Sequence, residues 1–299
     1  MSTIAISGSS GLVGTALSAH LARGGHHVVR LVRGEPRPGD AVYDMASGQV
    51  DLAALRDVDA IVHLAGESVA SGRWTEARKR SIRDSRVRST ALLAKAAAAL
   101  DKKPALLCAS AIGLYGPDCG ERWLDESSPP GGGFLAEVCV AWEAAAAPAR
   151  EAGVRTAHLR IGVVLAREGG ALAKLLPVFR LGGGGKVGSG AQYMSWITRD
   201  DVTRAFAFVL ERPDLSGAFN VVAPEPVTNA AFTTALAAAL ERPALVPVPA
   251  FALRLALGQM AEETVLASQR VKPARLLAAG FTFAHPDIAA GVDASLRAT

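Results

Sequence analysis

The chain has 299 residues, of which 50% are hydrophobic, 20% charged and 5% aromatic. This composition is typical of a folded globular protein and excludes long disordered segments and a peptide-sized scaffold. The formal net charge is only +4, with 32 basic residues scattered among 28 acidic ones. We therefore expect no nucleic-acid partner, since nucleic-acid binding needs a concentrated basic surface.

The cysteine content and the N-terminus indicate the cellular compartment. Cys108, Cys119 and Cys139 are odd in number and lack CxxC spacing, which is atypical of a disulfide framework or a zinc ribbon. The N-terminus lacks the charged start and apolar region of a signal peptide. The apolar stretches are shorter than the about 20 residues of a membrane helix. We expect a cytoplasmic protein without membrane contact.

The first predicted elements form a βαβ unit, with a strand at Thr3–Ser7, a helix at Leu12–Arg23 and a strand at His27–Val32. Further strands are predicted at residues 60–64, 105–109 and 155–159, separated by helices at 75–100 and 135–151. This alternation predicts an α/β protein, a doubly wound parallel sheet with helices on both faces.

The C-terminal part of the sequence has a different texture. A last helix and strand, at residues 200–210 and 218–222, return to the sheet, and prolines then punctuate short Ala/Leu-rich helices. We predict a dinucleotide-binding domain at 1–223, in which 166–198 contributes to a substrate cleft. Residues 224–299 are predicted to form a small, mostly helical domain.

The turn after the first strand carries a G-x-x-G-x-x-G motif, Gly8-Ser9-Ser10-Gly11-Leu12-Val13-Gly14. Glycines permit a tight turn and close approach of the backbone to a pyrophosphate. The following helix offers unpaired N–H groups and its positive dipole end to the same anion. Because the motif lies between a strand and a helix, it predicts dinucleotide binding rather than a merely structural turn.

The end of the second strand indicates which dinucleotide is bound. An acidic residue there would bind the ribose 2′-hydroxyl of NAD, whereas a basic one would accept the 2′-phosphate of NADP. The sequence reads Arg30-Leu31-Val32-Arg33, and Arg33 can offer a planar fork to phosphate. NADP(H) is favoured over NAD(H), the alternative being that Arg33 is a solvated loop residue.

Several motifs together resemble the extended short-chain dehydrogenase/reductase superfamily, also called the NAD-dependent epimerase/dehydratase superfamily. They lie at residues 8–14, 63–66, 110–116, 159–160, 196–197 and 200–201. Those at 73–75, 85–86, 134–143, 188–190 and 268–271 resemble an atypical epimerase-like subgroup with a small C-terminal domain of unknown function. The resemblance implies a Rossmann-type fold and further cofactor contacts from Leu64, Ala65 and Gly66.

The chain departs from this superfamily at its acid/base group. The family's reductases use a Ser or Thr to bind the substrate hydroxyl and a Tyr as general acid/base. A Lys four residues after the Tyr lowers the tyrosine pKa and holds the nicotinamide ribose. Ala111 stands at the Ser/Thr position, and Phe134 and Val138 stand where the Tyr and Lys should be. A shift by one residue gives Leu135 and Cys139, which does not restore the pair. The remaining candidate proton carriers, each with a structural alternative, are Tyr115, Ser110, Glu126 and Glu137.

Substrate contacts are predicted by position, from segments that face the cleft in related folds. The predicted cleft residues are Arg86, Glu126, Arg160, Gln192 and Trp196, together with Lys79. Arg86 falls where relatives usually have an Asn near the cofactor. The segment at 117–133 is long enough to be a lid, or else it is a mobile connector. The six histidines show no metal spacing, so no metal site is expected.

Two functions follow from these observations. The first is an NADP(H)-binding oxidoreductase or epimerase-like protein, monomeric or homodimeric, that acts on an unidentified small polar substrate such as a nucleotide sugar. The second is a catalytically depleted NADP(H)-binding regulatory or interaction module, which the missing Tyr and Lys favour. The retained cleft and the C-terminal domain favour the first.

The cofactor prediction is testable at Arg33. Replacement Arg33→Ala should narrow the difference between NADPH and NADH binding by on the order of 1.5–3 kcal/mol, because a charged hydrogen-bond partner of the 2′-phosphate is lost. Titration calorimetry with both cofactors measures this difference. Equal affinities for NADPH and NADH in the unmodified protein would contradict the prediction.

Overall fold

The computed structural model describes residues 1–297, which form alternating strands and helices. The strands are β1 (Thr3–Ser7), β2 (His27–Val32), β3 (Ala41–Asp44), β4 (Gln49–Val50), β5 (Ala60–His63), β6 (Ala105–Ala111), β7 (Asp118–Leu124), β8 (Thr156–Ile161), β9 (Val163–Ala166), β10 (Tyr193–Met194), β11 (Trp196–Thr198), β12 (Gly217–Val221), β13 (Val227–Thr228) and β14 (Ser268–Val271). The helices are α1 (Leu12–Arg23), α2 (Leu52–Leu55), α3 (Glu76–Ala99), α4 (Phe134–Ala144), α5 (Ala147–Glu151), α6 (Gly170–Arg180), α7 (Arg199–Glu211), α8 (Asn229–Leu240), α9 (Ala250–Leu257), α10 (Ala274–Ala278) and α11 (Ile288–Arg297), with a 3-10 turn at Ile112–Tyr115 and a π-helical turn at Ala261–Val265.

The central sheet has eight strands in the order β12-β8-β6-β5-β1-β2-β3-β4. Neighbouring strands in it are parallel, except that β4 runs antiparallel to β3. The strand order reverses between β1 and β5, and ligands of such sheets bind in the crevice at the C-terminal strand ends there. The predicted doubly wound parallel sheet is confirmed.

Helices cover both faces of this sheet, which explains why its strands read as continuous apolar runs. On one face, α1 and α7 pack on the sheet through buried side chains such as Leu17 and Phe206. On the other face, α3 contributes Leu93 and Ala97. His63, at the end of β5, is fully buried and contacts Ser7 and Ser89, as its place in an apolar strand predicts.

Two predicted segments differ from the structure. The helix expected at residues 135–151 is divided into α4 and α5, because the ring of Pro148, near the start of α5, is incompatible with one continuous helix. The segment at 117–133, predicted to be a lid or a mobile connector, contains β7. Since β7 pairs in parallel with β14, this part of the segment is fixed to the C-terminal region.

The C-terminal region is mostly helical, as predicted, and shares a core with part of the preceding chain. Phe232 and Leu236 of α8 and Val292 of α11 are buried together with Phe179 and Trp196. The boundary between residues 223 and 224, and the contribution of 166–198 to a cleft, stay predictions. Within residues 1–297, no helix is both long and apolar enough to cross a membrane.

The contact between α11 and β11 gives a stability prediction. A Cβ atom at Gly291 would lie 2.2 Å from the ring of Trp196, which is fully buried and cannot move aside freely. Gly291→Ala should therefore lower the free energy of unfolding by about 1–3 kcal/mol, the usual cost of overpacking. Urea denaturation measures this loss. The control is Gly34→Ala, where a Cβ meets nothing within 4 Å; equal stability of both variants would contradict the prediction.

Candidate functional site

The glycine turn between β1 and α1 is packed too closely for side chains at two of its positions. Gly8 has a φ of +72°, and a Cβ there would lie 2.8 Å from the backbone nitrogen of Ala65. A Cβ at Gly14 would lie 2.1 Å from the carbonyl oxygen of Gly8. At Gly11 the corresponding distance is 3.2 Å. The turn and the segment after β5 therefore form one compact backbone surface at the crevice.

The start of α1 is free to receive an anion. Gly11 caps the helix without any side-chain hydrogen bond, and the first turn contains no acidic residue. The unpaired N–H groups and the positive end of the dipole attract a phosphate in this arrangement. Ser10 and Gly11 are exposed, Ser9 and Leu12 are half-buried, and Val13 packs on the core. These residues fit the diphosphate of a dinucleotide.

Arg33 lines an open recess of about 550 Å³ just beyond the end of β2. The other lining residues are Gly34, Asp44, Met45, Ala46 and Arg88. Arg88, on α3, donates a hydrogen bond of 3.0 Å to the carbonyl oxygen of Met45. The recess thus presents two guanidinium groups, which is the donor set for a phosphate.

Asp44 also belongs to this recess, and its charge is already engaged. Its carboxylate accepts hydrogen bonds from the backbone nitrogens of Ala46 and Ser47, which hold the pKa of Asp44 below its ordinary value. Sequence reasoning missed Arg88, because a surface arginine 55 positions beyond Arg33 carries no local signal; only the packing of α3 beside the sheet brings it there.

The turn at Leu64, Ala65 and Gly66 follows β5 and lies against the glycine turn. A Cβ at Gly66 would lie 3.2 Å from Cζ of Arg86, so the guanidinium packs directly on this turn. Cζ of Arg86 also lies 5.1 Å from the ring centre of Trp142. The structure thus brings Arg86 next to predicted cofactor-binding residues.

Phe134 and Val138 lie on α4, in the places where the Tyr and Lys are missing. Phe134 is half-buried, with the ring of Trp74 at 5.0 Å and Nζ of Lys79 at 5.7 Å from its ring centre. Val138 is buried with 2% exposure. Neither side chain can carry a proton, and Glu137, between them in sequence, is exposed on the surface of the helix.

The start of α4 is held by the C-terminal region. The carboxylate of Glu263 accepts hydrogen bonds from the backbone nitrogens of Phe134 and Leu135, at 3.0 and 2.7 Å. Gln259 donates to the same carboxylate at 2.7 Å. Sequence reasoning missed Glu263 because this cap comes from 129 positions away along the chain.

A buried polar network underlies α4. Arg160 of β8 and Glu143 of α4 form a bidentate ion pair, with distances of 2.8 and 2.9 Å. Ser110 donates to the same Glu143 carboxylate at 2.7 Å. Arg160 also donates to the hydroxyl oxygen of Tyr115 at 3.1 Å, and Tyr115 donates to Oδ1 of Asn220 at 2.7 Å.

This network contains two of the four candidate proton carriers, Tyr115 and Ser110. Tyr115 and Ser110 are each only 2% exposed. Burial raises the pKa of Tyr115 above its ordinary value, although Arg160 acts in the opposite direction. In this arrangement both hydroxyl hydrogens are directed at protein acceptors, so either residue needs a rearrangement of the network before it can exchange a proton with a substrate.

The remaining predicted cleft residues lie in several environments. The carboxylate of Glu126 accepts from the backbone nitrogen of Asn220 at 2.9 Å. Gln192 donates to the carbonyl oxygen of Val187 at 3.2 Å. Trp196 is fully buried, and its indole N–H donates to the carbonyl oxygen of Glu225. The Trp196 side chain therefore belongs to the core and presents no surface to a ligand, which corrects its prediction as a cleft residue.

One acidic cluster lies apart from this site, on the side of α1 and α7. Ligand atoms of Asp200, Asp201 and His285 lie within 4.8 Å of one another. Both carboxylate oxygens of buried Asp201 already accept hydrogen bonds, from the backbone nitrogens of Ala284 and His285. The cluster thus ties the C-terminal region to α7.

The Glu143–Arg160 pair gives a pH-dependent prediction. Burial alone would raise the pKa of Glu143, but the hydrogen bonds and charge of Arg160 outweigh it and the pKa lies below its ordinary value. A lowered native pKa stabilises the fold above the unfolded pKa of about 4.3, and this stabilisation is lost as the pH falls through the native value. The free energy of unfolding of Glu143→Gln should therefore fall less between neutral and acid pH than that of the unmodified protein. Urea denaturation at several pH values measures this difference.

The same variant should be less stable at neutral pH by about 3 kcal/mol, because Arg160 loses its counter-charge in a buried site. Glu137→Gln, an exposed change on the same helix, is the control and should leave both properties unchanged. An unaltered acid profile in Glu143→Gln would show that the pair does not stabilise the fold.

Comparison with known proteins supports the site's cofactor chemistry. Human SDR39U1, an epimerase family protein crystallised with NADPH, is 34% identical to this chain, with a TM-score of 0.89 over 99% of this chain and 100% of its own. A nucleoside-diphosphate sugar epimerase from Corynebacterium glutamicum is 41% identical, with a TM-score of 0.83 over 99% of this chain. This chain spans 58% of that longer protein. The human protein carries the cofactor that Arg33 predicts here.

Sequence comparison identifies the family. An epimerase family protein of Mycobacterium bovis is 46% identical over 286 residues, 95% of this chain and 94% of that protein. The profile of a domain of unknown function, DUF1731, matches residues 248–294. The profile of the NAD dependent epimerase/dehydratase family matches residues 4–222. The resemblance inferred from the sequence motifs is thereby confirmed, and the chain belongs to the NAD dependent epimerase/dehydratase family.

Proposed function

We propose that this protein binds NADPH and transfers a hydride between it and a small polar substrate. The observation that carries the proposal is the recess at the end of β2, where Arg33 and Arg88 present two guanidinium groups. A 2′-phosphate is the part of NADPH that NADH lacks, and paired arginines are the donors suited to it.

The chain offers a separate subsite for each charged part of the cofactor. The glycine turn and the free start of α1 would hold the diphosphate. Arg33 and Arg88 would hold the 2′-phosphate, and the turn at Leu64, Ala65 and Gly66 would support the cofactor beyond the diphosphate. The NADPH in crystals of the human relative supports the same cofactor for this chain.

Bound NADPH would supply a hydride to an electrophilic carbon of the substrate. The residues near the missing acid/base pair then determine what else this chain contributes. Phe134 and Trp74 present aromatic surface, and Lys79 adds a positive charge beside Phe134. We propose that this surface receives the substrate, with Lys79 facing a polar or anionic group.

Ser110 and Tyr115 remain the proposed proton carriers. Their engagement with Glu143 and Asn220 favours a slow reaction, since the network must open before either hydroxyl can act. The same observation favours the second candidate function, an NADPH-binding module without turnover. Oxidation of NADPH, measured over a panel of nucleotide sugars and small carbonyl compounds, distinguishes the two; no oxidation with any of them would favour the module.

The proposal predicts a specific effect at Arg88. Arg88→Met should weaken NADPH binding roughly tenfold to a hundredfold, because one charged donor to the 2′-phosphate is lost, and should leave NADH binding unchanged. Energy transfer from protein tryptophan to bound NADPH or NADH measures both affinities. Arg83→Met is the control, since Arg83 is exposed on the same helix and does not line the recess.

Two results would contradict this prediction. An unchanged NADPH affinity in Arg88→Met would remove Arg88 from the cofactor site. An equal loss for NADPH and NADH would show that Arg88 supports the fold around the site rather than the 2′-phosphate.

A further inference from the structure

Helices α3 and α4 lie side by side and run in the same direction. Near their starts, Lys79 contacts the ring of Phe134. Further along both helices, Trp142 donates its indole N–H to Oγ1 of Thr90 at 2.9 Å. Positions along α4 can therefore be matched to positions along α3. Arg86 lies over the ring of Trp142 and is thus beside the second half of α4.

This part of α4 is where the family's lysine would stand. Val138 occupies that position and is buried. One turn further along α4, the ring of Trp142 lies under the guanidinium of Arg86, with 5.1 Å between Cζ and the ring centre. Arg86 thus brings a positive charge from the neighbouring helix to the region in which α4 has lost one.

The guanidinium of Arg86 has donors to spare. Nη1 donates at 3.0 Å to the carbonyl oxygen of Ile82, one turn earlier in the same helix. Among residues 1–297, this is its one hydrogen bond, and no carboxylate lies within 4 Å of it. By contrast, Arg78 pairs with Glu67 and Arg160 with Glu143. A half-buried arginine that leaves most of its N–H groups unused is suited to a ligand.

The location of these free donors indicates which ligand. The guanidinium packs on Gly66, in the turn after β5. In the sheet, β5 lies on the opposite side of β1 from β2, at whose end Arg33 stands. A dinucleotide that crosses the switch point with its 2′-phosphate at Arg33 would therefore extend its other half toward Gly66 and Arg86.

We propose that Arg86 binds the hydroxyl groups of the nicotinamide ribose and so replaces the missing lysine in holding that half of the cofactor. This inference rests on the proposed NADPH binding. In the family's reductases, one lysine both holds the ribose and lowers the pKa of the tyrosine. Arg86 would serve only the first of these functions, because position 134 carries no tyrosine.

The test compares two ligands that share one half. NADPH contains the nicotinamide ribose, whereas 2′,5′-ADP contains the adenosine 2′-phosphate and lacks the nicotinamide half. Arg86→Met in the full chain should weaken NADPH binding at least tenfold and leave the affinity for 2′,5′-ADP unchanged. Arg83→Met is the matched control and should leave both affinities unchanged. Titration calorimetry gives both affinities, and thermal unfolding verifies that each variant is folded.

The other outcomes overturn the inference. Unchanged NADPH affinity in Arg86→Met would show that Arg86 does not contact the cofactor, and equal losses for both ligands would assign it a structural role at the Gly66 turn. Arg86→Gln provides a second measurement if the Met variant does not fold, because it keeps a polar side chain but is shorter and lacks the guanidinium. NADPH affinity equal to that of the unmodified protein, together with unchanged 2′,5′-ADP binding, would also overturn the inference. Failure of the unmodified protein to bind either ligand would contradict the proposed function itself.

Discussion

The ion pair between Glu143 and Arg160 holds together the elements around the candidate site. It links α4 to β8, and through Ser110, Tyr115 and Asn220 it extends to β6, to the 3-10 turn after it and to β12. Two charges in a buried position are tolerated only when each has its partner and further hydrogen bonds, and here both conditions are met. The position of α4, and with it Phe134 and Val138, depends on this pair.

The site retains the features that hold a cofactor and lacks those that move a proton. A side chain at Gly8 or Gly14 would collide with neighbouring backbone atoms. The turn proposed to receive the diphosphate is therefore also needed for packing α1 on the sheet. The Tyr and Lys positions carry no such packing constraint, because an apolar side chain fills either place. A chain of this family can therefore lose its acid/base pair and keep both its fold and the surfaces proposed to bind the cofactor.

The C-terminal region takes part in this arrangement. Glu263 binds the backbone of the first turn of α4, and β14 pairs with β7 in the segment that follows Tyr115. Both contacts act on elements that border the predicted substrate cleft. Substitutions in the C-terminal region are thus expected to alter the site by changing the position of α4, even where the substituted residue does not contact the ligand.

The sequence by itself determined the features that depend on neighbours along the chain. The alternation of strands and helices, the glycine turn between β1 and α1, Arg33 at the strand end and the absence of a Tyr and Lys are all local patterns, and each follows from backbone conformation or residue chemistry within a few positions. The break between α4 and α5 also has a local cause, the ring of Pro148, although the apolar pattern across it predicted one continuous helix.

Only the tertiary structure decided which distant side chains meet. Arg88 lines the same recess as Arg33, Arg86 contacts the Gly66 turn, and Glu263 caps α4. In each case the partners are far apart along the chain, and no sequence pattern indicates their contact. The sequence also does not decide the position of Trp196, because an aromatic side chain suits a binding cleft as well as a core. Its burial against Gly291 places it in the core. The physical reason is that contacts between elements depend on how helices pack on the sheet, which is a property of the whole chain.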